Sequence, residues 1–338
     1  MLGTMGREVN RGGAMAVSVK DVARVAGVSA GTVSNALNHP ERVAEETVER
    51  VRAAIRELGY VRNDAARQLR AGRSRSVGLI VLDMRNPFYA DVARGADARA
   101  ERDGLSVLVS DSARDHGRER RLVDLFAEQR ASGVIATPLT DDLAPFEALA
   151  RHGVPVVLVD HEGDSDGLST VSVDDRKGGR LAVERLLARG CRRIAFVGGP
   201  RDLRQVRDRF EGARRAVAEA PGAALERIDI DDLTVDHGRA AGERLLRRSE
   251  RPDGLFAAND LVAVGLLQAL TMTGDVRVPG DIALVGYDDI DFAASTVVPL
   301  TSVRQPAELL GATAIELLGR APGEHVRFEP EVIGRATA

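Results

Sequence analysis

The chain has 338 residues and a formal net charge of −4, and its 44% hydrophobic and 29% charged residues are typical of globular proteins. This length suffices for two or three domains with buried cores, which excludes a peptide-sized module. No apolar run reaches the roughly 18 residues that a membrane helix needs. Residues 1–15 lack the apolar stretch of a signal peptide. We therefore expect a cytoplasmic protein without a membrane partner.

The sequence contains no motif that indicates catalysis. Its single cysteine, Cys191, excludes an internal disulfide, and no Cys or His spacing is typical of zinc. The HExxH, GxSxG, P-loop and GxGxxG patterns are absent. The six histidines occur singly in turns and polar helices. We therefore expect neither an enzyme nor a bound metal or cofactor.

Positive charge is concentrated near the N-terminus. Residues 16–76 contain 11 Lys and Arg against 7 Asp and Glu, a net charge of +4, and residues 1–15 add +1. The total of −4 therefore leaves −9 for the rest of the chain. This asymmetry fits nucleic-acid contact confined to the N-terminal part, because phosphates need only a local cationic face. A solvated charged surface without nucleic-acid contact is the alternative interpretation of these charge counts.

The N-terminal segment, residues 16–62, has the pattern of three short helices; we call it the head. The first spans residues 19–26, is capped by Ser18 and ends at Gly27, and Ser29 caps a second helix that begins at Ala30. Two helices joined by such a glycine turn form a helix-turn-helix. The third, residues 45–58, ends before Gly59. One small core is expected from the apolar residues of all three helices: Val22, Ala23, Ala26, Val33, Leu37, Val48, Val51, Ile55 and Leu58.

From residue 76 onward, which we call the body, apolar strands alternate with amphipathic helices. This alternation predicts parallel sheets covered on both faces, divided between two doubly wound lobes. The predicted strands are 77–82, 105–110, 133–137, 154–159, 193–197, 228–230, 254–258 and 282–285, and the clearest predicted helices are 89–101, 118–130, 176–188 and 261–271.

Ligands of open parallel sheets bind outside the carboxyl ends of the strands, and here polar residues follow most strands. Carboxylates, amides and an aromatic pair suit a neutral polyhydroxylated ligand. Arg209, on the helix after the fifth strand, is either a donor to that ligand or a solvated surface residue. Each aspartate has the alternative role of capping the next helix. The polar and aromatic residues at the strand ends are Asp83, Asn86, Phe88, Tyr89, Asp111, Ser112, Thr137, Asp160, Asn259, Asp260, Tyr287, Asp288 and Asp289.

An ordered series of motifs resembles the lactose-repressor (LacI/GalR) family of transcription regulators. In the head the motifs are VKDVARVAGVS, TVS, LN and LGY, with Asn63 and the helix after it. In the body they are NPFY, ND, VGYDD and PLT. The resemblance extends from about residue 18 to residue 337. It implies an N-terminal all-α helix-turn-helix head plus an α/β body of two parallel-sheet lobes, similar to periplasmic binding proteins.

The resemblance also implies a homodimer that places the second helix of each head in the major groove of a pseudo-palindromic double-stranded operator. Ala30 and Gly31 depart from better-known members, since neither has a long polar side chain. Base readout then depends on Asn35, and on contact of the Ala30 methyl with thymine. The DNA-binding residues implied are Ser18, Ser29, Ala30, Gly31, Thr32, Ser34, Asn35, Asn38, Asn63 and Leu69.

By the same resemblance, residues 63–75 are a hinge helix and linker. Residues 1–15, before the head, are expected to be a flexible leader. A helix of about two turns is unstable alone and needs a partner. Leu69 would be an apolar wedge in the minor groove, or alternatively a routine core residue. The effector-binding body is then 76–338, with lobe 1 at about 76–172 and 306–322 and lobe 2 at about 173–305 and 323–338.

An effector between the lobes is expected to control DNA binding, since a ligand that binds two lobe arrangements unequally shifts their populations. A sugar is the first candidate, and a nucleobase or nucleotide, or no effector, is the alternative within this class. A sugar-binding transport component is the alternative outside it. The expected effector-binding residues are Phe88, Tyr89, Asp160, Arg209, Asn259, Asp288 and Phe292.

Overall fold

The computed structural model describes residues 17–60, 74–163, 167–272, 274 and 276–338. The chain forms two compact units, Met1–Gly72 and Arg73–Ala338. The leader expected at 1–15 and most of the hinge expected at 63–75 lie outside the described residues. Within the described ranges, no helix is long and apolar enough to cross a membrane.

Three α-helices and one 3₁₀ turn make up the described part of the head. Ser18 accepts a hydrogen bond from the Asp21 backbone in a capping box, and Gly27 ends the first helix with φ 66°. Gly59 ends the third helix in the same way with φ 60°. The elements are α1 (Val19–Ala26), α2 (Ala30–Asn38), the 3₁₀ turn Pro40–Arg42 and α3 (Glu45–Leu58).

The head has its own apolar core, which confirms the expected fold of this segment. Val22, Val33 and Val51 are fully buried, one from each helix. Leu37, Ile55 and Leu58 are only partly buried and pack against this core from its edge. Most of the apolar positions expected from helical spacing are therefore in one cluster.

The body contains two lobes with one sheet each, as predicted. The first lobe contains β1 (Ser76–Val81), α4 (Pro87–Arg102), β2 (Ser106–Asp111), α5 (His116–Glu128), β3 (Gly133–Ala136), α6 (Ala144–Arg151), β4 (Val156–Val159), β5 (Ser169–Val173), α11 (Ala307–Leu318) and β11 (His325–Phe328). The second lobe contains α7 (Asp175–Ala188), β6 (Arg193–Gly198), α8 (Arg204–Ala218), β7 (Ala224–Asp229), α9 (Val235–Leu246), β8 (Gly254–Ala257), α10 (Asp260–Met272), β9 (Ala283–Asp288), the 3₁₀ turn Asp291–Ser295, β10 (Thr301–Arg304) and β12 (Glu331–Ile333).

Each sheet has six strands, in the order β11-β5-β4-β3-β1-β2 in the first lobe and β12-β10-β9-β8-β6-β7 in the second. All pairings are parallel except that of β10 with β12. In both sheets the strand order reverses beside the first strand of the lobe, which is the place where doubly wound folds bind ligands.

Sequence patterning missed the strands β5, β10, β11 and β12. Two of these are buried yet rich in hydroxyl side chains, so they lack the apolar run by which the other strands were recognised. Their hydroxyl groups are satisfied by residues distant in the chain. Ser302 Oγ donates to Asp260 Oδ1 at 2.6 Å, and Thr170 Oγ1 lies 2.9 Å from His325 Nδ1.

The expectation that residues 323–338 belong entirely to lobe 2 is wrong for β11. This strand pairs in parallel with β5, which places residues 325–328 at the edge of the first sheet. The chain joins the second sheet only at β12, which runs antiparallel to β10. The physical reason is that β11 follows α11, which packs on α4 and the strands of the first lobe, so the chain leaves that helix beside the first sheet.

Helices α4 and α11 approach each other closely because glycines face each other at their crossing. A Cβ on Gly311 would lie 1.9 Å from the carbonyl oxygen of Val92, and a Cβ on Gly95 would lie 1.9 Å from that of Glu308. In the second lobe, helices α7 and α8 approach each other equally closely, because Gly179 of α7 and Gly212 of α8 each face the backbone of the other helix.

Replacing Gly311 with alanine should therefore destabilise the body by about 1–3 kcal/mol, because the two helices must move apart. Urea unfolding of the full chain measures this change. Gly319→Ala is the matched control, because its Cβ would meet no heavy atom closer than 3.5 Å and its φ is −87°. Equal stability of the two variants would contradict the proposed close crossing.

Candidate functional site

The candidate DNA surface is the N-terminal half of α2 and its cap. Ser29 Oγ accepts the Thr32 amide at 3.0 Å and lies 2.9 Å from Thr32 Oγ1, so both side chains take part in capping the helix. This does not prevent phosphate contact, since Ser29 is exposed and a hydroxyl both donates and accepts. Ser18 is exposed at the start of α1, where its side chain caps that helix.

The outer face of α2 presents small and amide side chains. Gly31 and Asn35 are exposed, whereas Ala30 and Ser34 are half-buried. The Asn35 amide has no hydrogen-bond partner among residues 17–60, which leaves it available to a base edge. The Asn38 amide, in contrast, donates to the Ser34 carbonyl at 2.9 Å and to its hydroxyl at 3.2 Å.

The remaining two residues expected at the DNA, Asn63 and Leu69, lie outside the described residues. Their roles stay predictions.

In the body, four of the expected effector residues meet in one buried cluster between the lobes. Tyr89 and Asp160 come from the first lobe, and Arg209 and Asp288 from the second; each is at most 7% exposed. Asp160 and Asp288 follow or end parallel strands, as expected of a cleft at strand carboxyl ends. Both have a positive φ, 57° and 106°, a conformation that is costly outside glycine and clusters at functional sites.

Arg209 is the centre of this cluster. Its Nε donates to Asp175 Oδ1 at 2.7 Å and its Nη1 donates to the Ala258 carbonyl at 2.8 Å. Nη1 also lies 3.8 Å from a carboxylate oxygen of Asp288. The guanidinium carbon stacks 3.7 Å from the centre of the Tyr287 ring. The guanidinium thus joins two aspartates and an aromatic face in one buried arrangement.

The protonation of Arg209 follows from these neighbours. Burial disfavours its charged form, but the carboxylates of Asp175, Asp288 and Asp160 raise the pKa of Arg209 above its usual value. The residue therefore stays a cation. It is a fixed donor fork, as expected of an arginine that recognises planar or hydroxylated groups.

The environment of Asp160, in contrast, favours the neutral form of its side chain. Burial, followed by the nearby Asp175 carboxylate, raises the pKa of Asp160 to about 8. The Gln205 amide donates to its Oδ2 at 2.8 Å and to its backbone carbonyl at 3.1 Å. Its Oδ1 is buried without a hydrogen-bond partner among the described residues. This oxygen is therefore an open polar position in the cleft.

Asp288 connects the lobes. Asn86 of the first lobe donates to its Oδ2 at 3.0 Å, and Gln305 donates to its Oδ1 at 2.8 Å. Burial raises the pKa of Asp288, while Arg209 opposes that change. The side-chain amide oxygen of Gln305, Oε1, like Asp160 Oδ1, has no partner in the described part of the chain.

The aromatic pair Phe88 and Tyr89 lies at the start of α4. Their rings meet edge to face, with centroids 5.1 Å apart, and both are buried. Phe88, Asp288 and Gln305 border a groove of about 480 Å³ at the surface of the body. Apolar ring surface beside carboxylates and amides is the combination expected for sugar recognition.

Two of the expected effector residues are not brought into the cluster. The Asn259 side chain caps α10, where it accepts the Val262 amide at 2.9 Å and donates to the Leu233 carbonyl at 3.4 Å. It lies next to Ala258, whose carbonyl accepts from Arg209. Phe292 is 64% exposed on the 3₁₀ turn, so its ring covers no described residue of the cluster.

Ion pairs close the cleft on both sides of the cluster. On one side, Arg85 and Arg114 of the first lobe each form ion pairs with Asp83 of the same lobe and with Asp232 of the second lobe. On the other, Asp141 of the first lobe pairs with Arg207 at 2.6 Å and with Arg204 at 3.4 Å. The cavity beside Asp160 is only about 10 Å³, which is about the room for one water. The lobes must therefore separate before a sugar-sized ligand enters.

Sequence reasoning did not single out Asp175, Gln205 or Gln305. Asp175 is at the start of α7 and Gln205 at the start of α8, where polar residues ordinarily serve the helix end or the solvent. Gln305 follows β10, a strand that patterning missed. Recognising β10 would have placed Gln305 at a strand end beside Asp288.

No group of three or more His, Cys, Asp or Glu residues within the described ranges could hold a metal ion.

Comparisons with known proteins identify the family of this chain. A family model described as bacterial regulatory proteins, lacI family, matches residues 18–63, and one for a periplasmic binding protein-like domain matches residues 183–337. The chain is 33% identical over 330 residues to the HTH-type transcriptional repressor PurR of Vibrio atlanticus, covering 95% of this chain and 98% of that one. It is 35% identical over 306 residues to the ribose operon repressor of Escherichia coli K12, covering 89% and 92%.

A solved structure gives the same result for the fold. The lac repressor dimer bound to operator and the anti-inducer ONPF matches with a TM-score of 0.81 and 30% identity, covering 96% of this chain and 99% of that one. Relatives of this identity over nearly the whole chain establish membership, and they confirm that the chain is a regulator rather than an enzyme. The chain belongs to the lacI family of bacterial regulatory proteins, as a helix-turn-helix transcriptional regulator with a periplasmic-binding-protein-like effector domain.

Proposed function

We propose that this chain represses transcription from the cytoplasm by binding a pseudo-palindromic operator as a homodimer, and that a sugar between its lobes controls that binding. The observation that carries the sugar assignment is the buried cluster of Tyr89, Asp160, Arg209 and Asp288, which offers fixed donors and acceptors beside the ring of Phe88. The relative named as a ribose operon repressor supports the same class of effector.

The proposed control follows from the contacts between the lobes. The ion pairs of Asp232 and Asp141, and the Asn86–Asp288 hydrogen bond, form only when the lobes are together. A ligand that binds one lobe arrangement more tightly shifts the population toward it. We propose that the output is at residues 63–75, where the family resemblance predicts a hinge helix, because an isolated helix of about two turns needs a partner such as its dimer mate and the DNA.

Exposed apolar side chains in the body support the dimer. Strand β2 is at the edge of the first sheet, and its Leu108 and Val109 are 44% and 37% exposed. Leu125 on α5 is 40% exposed. An apolar sheet edge is a position that natural proteins usually cover. In the lac repressor structure the repressor is a dimer.

The experiment that tests the function is a mobility-shift selection of duplex fragments from the protein's own genome. The full chain is then screened by thermal shift against sugars and nucleobases, and positive compounds are added to the bound fragment. A retarded fragment whose affinity a sugar changes is the expected result. A response to a nucleobase would instead favour the alternative effector, and failure to retard any fragment would contradict the proposed function.

Replacing Leu69 with serine should weaken operator binding roughly 10- to 100-fold, because a polar side chain cannot substitute for an apolar wedge between base steps. Mobility shifts at fixed salt measure the affinity, since salt alone changes it. Sugar affinity, measured by calorimetry, should stay nearly unchanged. Unaltered operator affinity would remove Leu69 from the DNA contact.

Replacing Asp288 with alanine should abolish the calorimetric response to the sugar found in the screen, because both of its carboxylate oxygens lie in the cleft. Circular dichroism checks that the variant remains folded. Asp288→Asn keeps the shape without the charge and separates a folding defect from a binding defect. A normal titration of both variants would remove Asp288 from the effector site.

A further inference from the structure

The buried cluster between the lobes has more negative than positive charge. Asp160, Asp175 and Asp288 are 7%, 8% and 6% exposed. Among the described residues, Arg209 is the one buried cation, and it is 4% exposed. With the three carboxylates ionised, these four side chains sum to −2. Uncompensated charge of this kind is costly away from water.

The other titratable groups that face the cluster do not balance this charge. Burial raises the pKa of Tyr89 and of Tyr287 well above the usual value, so both phenols stay neutral. Burial lowers the pKa of His161 to about 4, so this imidazole is also neutral at pH 7. Arg114, 13% exposed at its side chain, already pairs with two carboxylates of the closing ion pairs. Without a ligand, the excess is therefore relieved by protonation, and the Asp160 carboxyl, whose pKa burial raises to about 8, takes up the proton.

Two buried side-chain oxygen atoms lack a hydrogen-bond donor. Asp160 Oδ1 and Gln305 Oε1 accept no hydrogen bond from any described residue, although both side chains are more than nine-tenths buried. Asp160 lines the small cavity together with Ser172 and Asp175, and Gln305 lines the groove together with Asp288. An unsatisfied buried acceptor is costly, and only a donor relieves it. The ionised form of Asp160 and the side-chain amide oxygen of Gln305 therefore each lack a donor, although the buried Tyr287 hydroxyl is also without a partner in the described part of the chain.

We propose that this cleft selects a polyhydroxylated ligand that carries a protonated amine, an amino sugar, over the neutral sugar of the same ring. An ammonium group supplies up to three donors for the unpaired oxygens and reduces the net charge of the four ionised side chains from −2 to −1. Asp160 is the partner of the amine, because Arg209 is already paired with Asp175. This proposal deepens the proposed function and rests on it, since it names the class of effector for the same site.

Binding of an amino sugar has a consequence that a neutral sugar lacks. The Asp160 carboxyl, with its pKa raised to about 8, is mostly protonated at pH 7 in the empty closed cleft. An ammonium beside it favours the carboxylate, so the carboxyl proton passes to the buffer as the ligand binds. A neutral sugar leaves the proton in place.

Isothermal calorimetry of the full chain at pH 7 tests the proposal. The probes are D-glucosamine, D-galactosamine and D-mannosamine, each with its neutral parent sugar and its N-acetyl derivative, in two buffers of different ionisation enthalpy. We expect at least one amino sugar to bind about tenfold or more tightly than its two neutral analogues and to release a proton. Equal or tighter binding of the neutral analogues, or no binding of any amino sugar, would overturn the proposal.

Asp160→Asn identifies the residue responsible. The variant keeps a side chain of the same shape but removes the carboxylate, so the preference for the amine and the proton release should both disappear. Asp236→Asn is the matched control, since this aspartate is 82% exposed and pairs only with Arg239 among the described residues. A preference that persists in Asp160→Asn would overturn the assignment.

Operator binding in the same samples separates the two hypotheses. A retarded genomic fragment that responds to a neutral sugar or a nucleobase would leave the proposed regulator intact and contradict the amine selectivity. A chain that binds amino sugars but retards no fragment would contradict the regulator and leave the ligand class standing.

Discussion

Replacing Arg209 with methionine should lower the free energy of unfolding of the body by about 3–5 kcal/mol, the range typical when one partner of a buried ion pair is removed. Methionine fills much of the same space, so the loss is mainly electrostatic. Asp175 would lose its partner at 2.7 Å, and Asp160 and Asp288 would lose the cation that offsets their charges. Urea denaturation of the full chain followed by circular dichroism measures the change.

Arg214→Met is the matched control on the same helix. Arg214 is 59% exposed and pairs with Glu211 at 2.8 Å, so its loss should leave the stability nearly unchanged. If Arg209→Met were no more destabilising than this control, the guanidinium would not be neutralising buried carboxylates, and the charge argument for the cleft would fail.

The contribution of Asp160 to stability should decrease as pH rises from about 4 to about 8. The folded chain holds the Asp160 proton up to a pKa of about 8, whereas the unfolded chain releases it near the usual value of 3.8. The folded state therefore binds more protons between these two values, and stability is lost by up to about 1.4 kcal/mol per pH unit until the pH passes 8.

The difference between wild type and Asp160→Asn reports the titration of Asp160 together with its effect on the neighbouring Asp175, whereas Asp260 and Asp288, whose pKa values burial also raises, are present in both proteins. The asparagine variant should have the flatter profile, and it should be the more stable protein at pH 8. Parallel pH profiles for the two proteins would mean that the Asp160 carboxyl titrates normally in the folded state.

Local patterning was sufficient for the head. The helix bounds 19–26 and 45–58 follow from Ser18, Gly27 and Gly59, because caps and left-handed glycines act within a few residues of the helix end. The expected positions of Asn63 and Leu69 stay predictions, since they depend on the family resemblance and lie outside the described residues.

The sequence by itself determined the alternation of strands and helices, and hence two parallel-sheet lobes with polar residues at their strand ends. Period and apolar content encode these features locally. It could not determine β5, β10, β11 or β12. The hydroxyl groups of β5 and β10 are satisfied by His325 and by Asp260, respectively, which come from elsewhere in the chain.

The cleft was decided only by the tertiary structure. Arg209 was equally consistent with a surface residue until packing placed it beside Asp175 and Tyr287. Asn259 and Phe292 share the sequence context of the other candidates, yet one caps a helix and the other is exposed. The physical reason is that charge balance, burial and unpaired hydrogen-bonding atoms depend on contacts between residues distant in the chain. Local sequence patterns do not specify those contacts.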